Sequence, residues 1–185
     1  MAFNKRRFEM AGIDENKKFE PVRIAVVTVS DTRTLETDKS GQTLVDRLTL
    51  AGHELAHRSI VTDDIDKIQD RLKGLIADDG VEEVITTGGT GITGRDVTPE
   101  AMEPLYDKKI DGFGELFRQI SFQKVGTSSL QSRATGGIAG GTFLFAVPGS
   151  PNACKDAWDG ILRFQLDLRH MPCNLPEMIP RLLES

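Results

Sequence analysis

The 185-residue sequence has only two cysteines, Cys154 and Cys173, and three histidines. The cysteines form neither a disulfide framework nor a metal-ligand spacing, which points to reduced thiols in a cytoplasmic protein. No apolar run approaches the ~18 residues that a membrane span requires. Residues 1–20 are polar and mixed in charge, without the apolar stretch of a signal peptide. Positive charge is also short: 23 Lys and Arg stand against 28 Asp and Glu, a net charge of −5. A face basic enough to neutralise a nucleic-acid backbone is therefore not expected. Any anion bound by this chain has to be held locally, by backbone N–H groups, a few basic side chains or a metal ion.

Glycine is abundant, with 18 residues, and is densest in the stretch 86–99, Thr-Thr-Gly-Gly-Thr-Gly-Ile-Thr-Gly-Arg-Asp-Val-Thr-Pro. The stretch follows an apolar strand-like run, Val81 to Ile85, and ends in a helix-start signal. Glycines let a backbone approach a ligand closely. A strand that ends in glycines and runs into a helix is where α/β proteins bind phosphates and other anions. Gly89, Gly91 and Gly94 satisfy G-x-G-x-x-G, but a dinucleotide fingerprint needs a second strand ending in an acid about 20 residues on. Asp111 has that spacing, yet it follows Lys108-Lys109-Ile110, which does not read as a strand. A P-loop needs Lys and then Ser or Thr, and Arg95 and Asp96 occupy those places.

Strand and helix patterns alternate along the rest of the chain. Val22–Ser30 is β-branched and apolar on both faces, as in an interior parallel strand. Residues 41–51 and 112–123 have helical spacing, Glu54–Val61 reads as a strand nearer an edge, and Thr142–Val147 as a buried strand. Thr62 or Asp63 is expected to cap a helix running to about Ala77, Thr98 another with Pro99 at its first position, and Ser150 a third over residues 152–168. Gly136-Gly137 and Gly140-Gly141 bracket a small strand or hairpin. The alternation predicts a single α/β domain over residues 21–170, with a mostly parallel sheet and helices on both faces. Residues 1–20 read as a flexible arm and 171–185 as an extended tail with a last short turn. His53, His57 and His170 read as surface residues, Cys154 as a small buried one, and Trp158 as core or subunit interface.

A bare Asp96 beside phosphates would repel them, so its presence points to a divalent cation. Mg²⁺ is held by one or two carboxylates with phosphate oxygens and waters. Asp63 and Asp64 follow the second strand at the same edge of a parallel sheet. Each candidate also suits a plainer role, Asp63 as a helix N-cap and Asp96 as a loop cap before the Thr98 helix. Ser30-Asp31, Asp38-Lys39-Ser40-Gly41 and Pro148-Gly149-Ser150-Pro151 open helices from other strand ends and point to one shared pocket. Arg95, Arg133 and Lys39 are candidate sources of positive charge.

These segments, with Thr87-Gly88-Gly89-Thr90-Gly91, Asp96-Val97-Thr98-Pro99-Glu100, Gly112-Phe113-Gly114-Glu115 and Ser132-Arg133, resemble the MoaB/Mog family of molybdenum cofactor biosynthesis proteins. The domain also occurs in gephyrin, and the short chain is most similar to the B branch. The likeness runs from residue 22 to about 165. It implies a three-layer α/β/α sandwich that assembles as a homotrimer or homohexamer and works with other molybdenum cofactor proteins. It also implies Mg²⁺- and ATP-dependent adenylylation of molybdopterin, with Asp63 and Asp96 as catalytic and metal-binding residues. The substrate site implied by the match comprises Ser30, Asp38, Ser40, Thr87, Gly88, Gly89, Thr90, Gly91, Glu115, Ser132, Gly149 and Ser150, with Ser132 near the pterin. Asp111 departs from the family, which often has proline there. The same pocket would equally serve a non-catalytic molybdopterin-binding or carrier protein. Neither nucleic acid nor a membrane is an expected partner.

Overall fold

Every residue from Ile24 to Val29 is buried, which places this segment inside a sheet rather than at its rim. The computed structural model describes residues 12–184. From β1 (Gly12–Ile13) the chain enters β2 (Arg23–Val29), α1 (Lys39–Leu50), β3 (Glu54–Val61), α2 (Ile65–Ile76) and β4 (Glu83–Thr87). It continues through α3 (Thr98–Met102), β5 (Lys108–Lys109), α4 (Asp111–Val125) and β6 (Thr135–Ala139). Then come β7 (Thr142–Val147), α5 (Pro151–Ala157), a π-helical turn at Trp158–Leu162, α6 (Arg163–Gln165) and β8 (His170–Met171).

Six strands form one sheet in the order β3-β2-β4-β7-β6-β5. The first four are parallel, and β6 and β5 each pair antiparallel with the neighbour before them. The fold is thus an α/β sandwich with a mostly parallel sheet between two helical layers. On one face Ile24, Val26 and Ile85 pack with Leu44 and Leu48 of α1, Phe113 and Phe117 of α4, and Trp158. On the other, Ala25, Val27 and Val84 meet Ile68, Leu72 and Leu75 of α2 and Met102 of α3. Leu44 and Leu48 have no exposed surface, and each such burial is worth roughly 1.5–3 kcal/mol. Among the described residues no helix is long and apolar enough to cross a membrane.

Several local expectations are corrected. Lys108–Lys109 does form a strand, a two-residue one at the sheet edge, paired with Gly137 and Ile138. The segment read as a flexible arm is anchored from residue 12 on: β1 pairs with β8, and the Phe19 ring lies 5.1 Å from that of His53. Residues 1–11 lie outside the described part of the chain. The tail is likewise fastened, with Leu175, Ile179 and Leu182 against the core. The last long helix does not run unbroken to 168; it widens into the π turn at Trp158–Leu162 and ends at Gln165.

His53, expected at the surface, is buried, and its Nδ1 accepts a hydrogen bond from the Val22 N–H at 3.1 Å. An imidazole accepting at Nδ1 must be unprotonated there. Burial pushes its pKa down to about 4, against a partial opposing effect from Asp167. The unfolded chain takes up a proton near the ordinary value of 6.5 and the folded one does not. His53 should therefore contribute stability that is complete above pH 6.5 and is lost as the pH falls towards about 4. Urea unfolding of His53→Gln across this range should show a shallower decline, and an unchanged decline would refute the assignment.

Candidate functional site

The glycine loop leaves β4 at the carboxyl edge of the parallel strands, where α/β folds place their ligands. Gly89 has φ +63°, and a side chain there would collide with Thr98 Oγ1 and approach Asp63 Oδ1 to 3.2 Å. At Gly91 an added carbon would lie 2.7 Å from Asp96 Oδ2. Two aspartates thus press on the loop from either side, and only glycine leaves them room. The N–H groups of Gly89 and Thr90 have no acceptor among the described residues.

Thr98 does not cap α3 as expected. It is the first helical residue, its hydroxyl donates to Gly88 O at 2.8 Å, and its N–H donates to Gly89 O at 3.0 Å. Both donors of Thr98 go to carbonyls of the loop, which ties the glycine loop to the first turn of the helix. Nor does Asp63 cap α2. Asp64 does, accepting from the Lys67 N–H at 3.0 Å, and this leaves the Asp63 carboxylate facing the loop.

Gly88, Gly89, Thr90, Gly91, Asp63 and Asp96 line a cleft of about 580 Å³, which also includes Ser30, Ser132, Gly149 and Ser150. Among the described residues its lining holds three carboxylates, Asp63, Asp96 and Asp156, the last paired with Lys124, and no Lys or Arg. Asp96 accepts from the Thr93 hydroxyl at 2.6 Å and the Thr93 N–H at 2.9 Å. The Thr93 hydroxyl in particular holds its pKa below the usual carboxylate value. Asp63 is displaced the other way, first by desolvation and then by the negative charge of Asp96. A cation between the two would relieve that repulsion. Among the described residues no cluster of three or more His, Cys, Asp or Glu could cage a metal by itself. Two carboxylates with open space beside them fit Mg²⁺ completed by phosphate oxygens and water.

Not every residue expected in the site reaches it. Asp38 is buried as the N-cap of α1, accepting from the Gly41 N–H at 2.9 Å and the Thr28 hydroxyl at 2.8 Å. Ser40 is buried beside it. Thr87 is buried and donates to Pro148 O at 3.1 Å, so it shapes the Gly149–Ser150 turn from behind. Glu115 is exposed on α4 and does not line the cleft. Ser150 caps α5 as expected, accepting from the Ala153 N–H at 3.1 Å. The candidate cations are engaged or remote: Arg95 pairs with Asp31, Arg133 is bound to the glycine loop, and Lys39 is absent from the lining.

The far wall was missed from the sequence. Ser128, Ser129 and Gln131 lie in the turn after α4, and Asn152 and Asp156 lie four apart on α5. The serine pair just before Ser132 and the i, i+4 spacing of Asn152 and Asp156 were the available signals. A second cavity of about 580 Å³ adjoins the cleft, shares Ser132, and carries Arg118, Lys109 and Arg133. Cys154 is buried and its thiol is pushed up to about 11 by desolvation, so it is no nucleophile.

Comparisons with known proteins agree with this architecture. Residues 25–168 match a family model described as a probable molybdopterin binding domain. Molybdenum cofactor biosynthesis protein B of Escherichia coli (strain K12) is 48% identical over 157 residues, covering 85% of this chain and 92% of that protein. A crystal structure of molybdenum cofactor biosynthesis protein B superposes with a TM-score of 0.79 at 46% identity, covering 81% of this chain and 94% of the other. The tungsten cofactor synthesizing protein MoaB from Pyrococcus furiosus superposes with a TM-score of 0.69 at 38% identity, covering 77% and 91%.

Proposed function

The chain belongs to the molybdopterin-binding family of molybdenum cofactor biosynthesis proteins, and from that premise we propose that it catalyses the Mg²⁺- and ATP-dependent adenylylation of molybdopterin. The observation that carries the proposal is the cleft itself: a glycine loop flanked by the carboxylates of Asp63 and Asp96, with no basic side chain among the described residues of its lining. Two phosphate-bearing substrates in such a cleft need a cation to offset their charge. Asp96 and Asp63 would hold Mg²⁺, which when bound supplies the positive charge that draws the two phosphates together and stabilises charge building up in transfer.

The protein's own contribution is positioning. The free N–H groups of the glycine loop would orient phosphate oxygens, with the Gly149–Ser150 turn forming the facing wall. The terminal phosphate of molybdopterin attacks the α-phosphorus of ATP, the bond to the bridging oxygen breaks, and pyrophosphate leaves. No general base is required, because a phosphate monoester with a second pKa of about 6 is already ionised at neutral pH. Asp63 and Asp96 therefore serve as charge-bearing ligands, not proton acceptors.

Incubation of the purified protein with molybdopterin, ATP and Mg²⁺ should yield adenylylated molybdopterin and pyrophosphate in equal amounts. Molybdopterin binding by calorimetry with no product, and no effect of ATP, would reject catalysis in favour of a carrier. The proposal includes a cytoplasmic setting among other molybdenum cofactor proteins and assembly as a homotrimer or homohexamer. Supporting the assembly are Leu116, Phe122, Val125 and Leu130, all exposed along α4 and its following turn. Light scattering of the purified protein should give three or six times the 20.3 kDa chain mass; a monomer would refute it.

A further inference from the structure

Arg133 follows Ser132, yet its side chain turns away from the glycine cleft and lines the cavities on the far side of the loop. Its Nε donates to Gly91 O at 2.6 Å, and one terminal nitrogen donates to Asp96 O at 2.6 Å. The other terminal nitrogen pairs with Glu100 of α3. The Arg133 backbone N–H donates to Thr90 O at 3.1 Å. One residue thus holds both ends of the Gly91–Asp96 turn and fastens them to α3. A guanidinium presents its donors in a rigid fork, which suits two fixed carbonyls and a carboxylate at once.

We infer that Arg133 is a positioning residue: it braces the Gly91–Asp96 turn so that the Asp96 carboxylate stays in the cleft, and it does not itself bind the anionic ligand. The inference rests on the proposed adenylylation only for what Asp96 does once positioned. Thr93 and Asp96 already close the turn from inside, through the hydroxyl and N–H of Thr93. Arg133 closes it from outside. Lysine keeps the charge, but its donors sit on a single nitrogen and cannot span the separated Gly91, Asp96 and Glu100 acceptors as the planar guanidinium does, so the brace needs the fork rather than the charge.

The test combines hydrogen–deuterium exchange of the free, full-length protein with calorimetry of ATP binding at varied Mg²⁺. In Arg133→Lys and Arg133→Leu, amides of residues 88–97 should exchange roughly ten-fold faster or more, the sheet strands staying as in wild type. The Mg²⁺ concentration for half-maximal ATP binding should rise by a similar factor in both variants. In an Asp96→Asn background, Arg133→Lys should not shift it further. If Arg133→Leu fails to fold, Arg133→Lys carries the test. Unchanged loop exchange in the lysine variant overturns the inference. So does ATP affinity retained by lysine and lost by leucine, the mark of a charge contact. If wild-type protein binds no ATP at any Mg²⁺ concentration, the adenylylation reading fails, while the exchange data still judge the brace.

Discussion

Asp96→Asn should slow formation of adenylylated molybdopterin by on the order of a hundred- to a thousand-fold, the usual cost of removing one group aimed at developing charge. Asparagine preserves the side-chain volume and an acceptor for the Thr93 hydroxyl, which lies 2.6 Å from the carboxylate. The loop should keep its shape, and the loss should show in the rate and in a higher Mg²⁺ requirement. Asp63→Asn should also slow the reaction, because its carboxylate is held in the cleft against desolvation and the charge of Asp96, a cost that a bound cation relieves. The coupling gives a second readout that needs no substrate. With Asp96 neutralised, the Asp63 pKa followed by carboxyl NMR should fall. An Asp96→Asn protein with wild-type rate and metal dependence would remove Asp96 from the mechanism.

Replacing Glu83 should make the protein more stable. Glu83 opens β4, lies in register between Ile24 and Phe143, and has no exposed surface. Neither carboxyl oxygen has a hydrogen-bond partner among the described residues. Burial alone pushes its pKa well above the ordinary glutamate value. An unpartnered buried group of this kind costs about 1–3 kcal/mol, and apolar replacement of buried ionisable groups often stabilises by similar amounts. Glu83→Leu should therefore raise stability by roughly 2 kcal/mol at neutral pH, or on the order of 4–8 °C in Tm for a chain of this length.

The pH dependence follows from the raised folded-state pKa. Stability at Glu83 is complete below the ordinary value of 4.5, declines as the pH rises towards the folded-state value, and levels off above it. His53 acts in the opposite sense over pH 4 to 6.5, so the two offset one another in the wild type. Glu83→Leu should unmask the His53 dependence and make the protein more acid-sensitive in relative terms. A variant no more stable than wild type at pH 7, with an unchanged pH profile, would contradict this account.

The legible parts of the site were those carried by local backbone chemistry. Gly89 and Gly91 announce a close approach because a side chain there has no room, and Ser150-Pro151 announces a helix start whatever surrounds it. The capping assignments failed where a tertiary partner competed. Thr98 has the local chemistry of a cap, but its bonds to the carbonyls of Gly88 and Gly89 draw it into the first turn, and Val97 takes the cap position. Asp63 and Asp64 are both plausible caps, and the path out of β3 gives the role to Asp64. Asp38 looked like a site residue and is an interior one, because Thr28 and Arg58 meet it from other elements.

The sequence by itself determined the layered α/β fold, the family and the glycine loop, since periodicity and turn chemistry depend on neighbours along the chain. Which charges face the cleft was decided only by the tertiary structure. Nothing local distinguishes Asp38 from Asp63, or an anion-binding arginine from Arg133, whose fork is taken up by Gly91, Asp96 and Glu100. Electrostatic roles depend on distance in space. That distance is set when strands far apart in the chain come side by side.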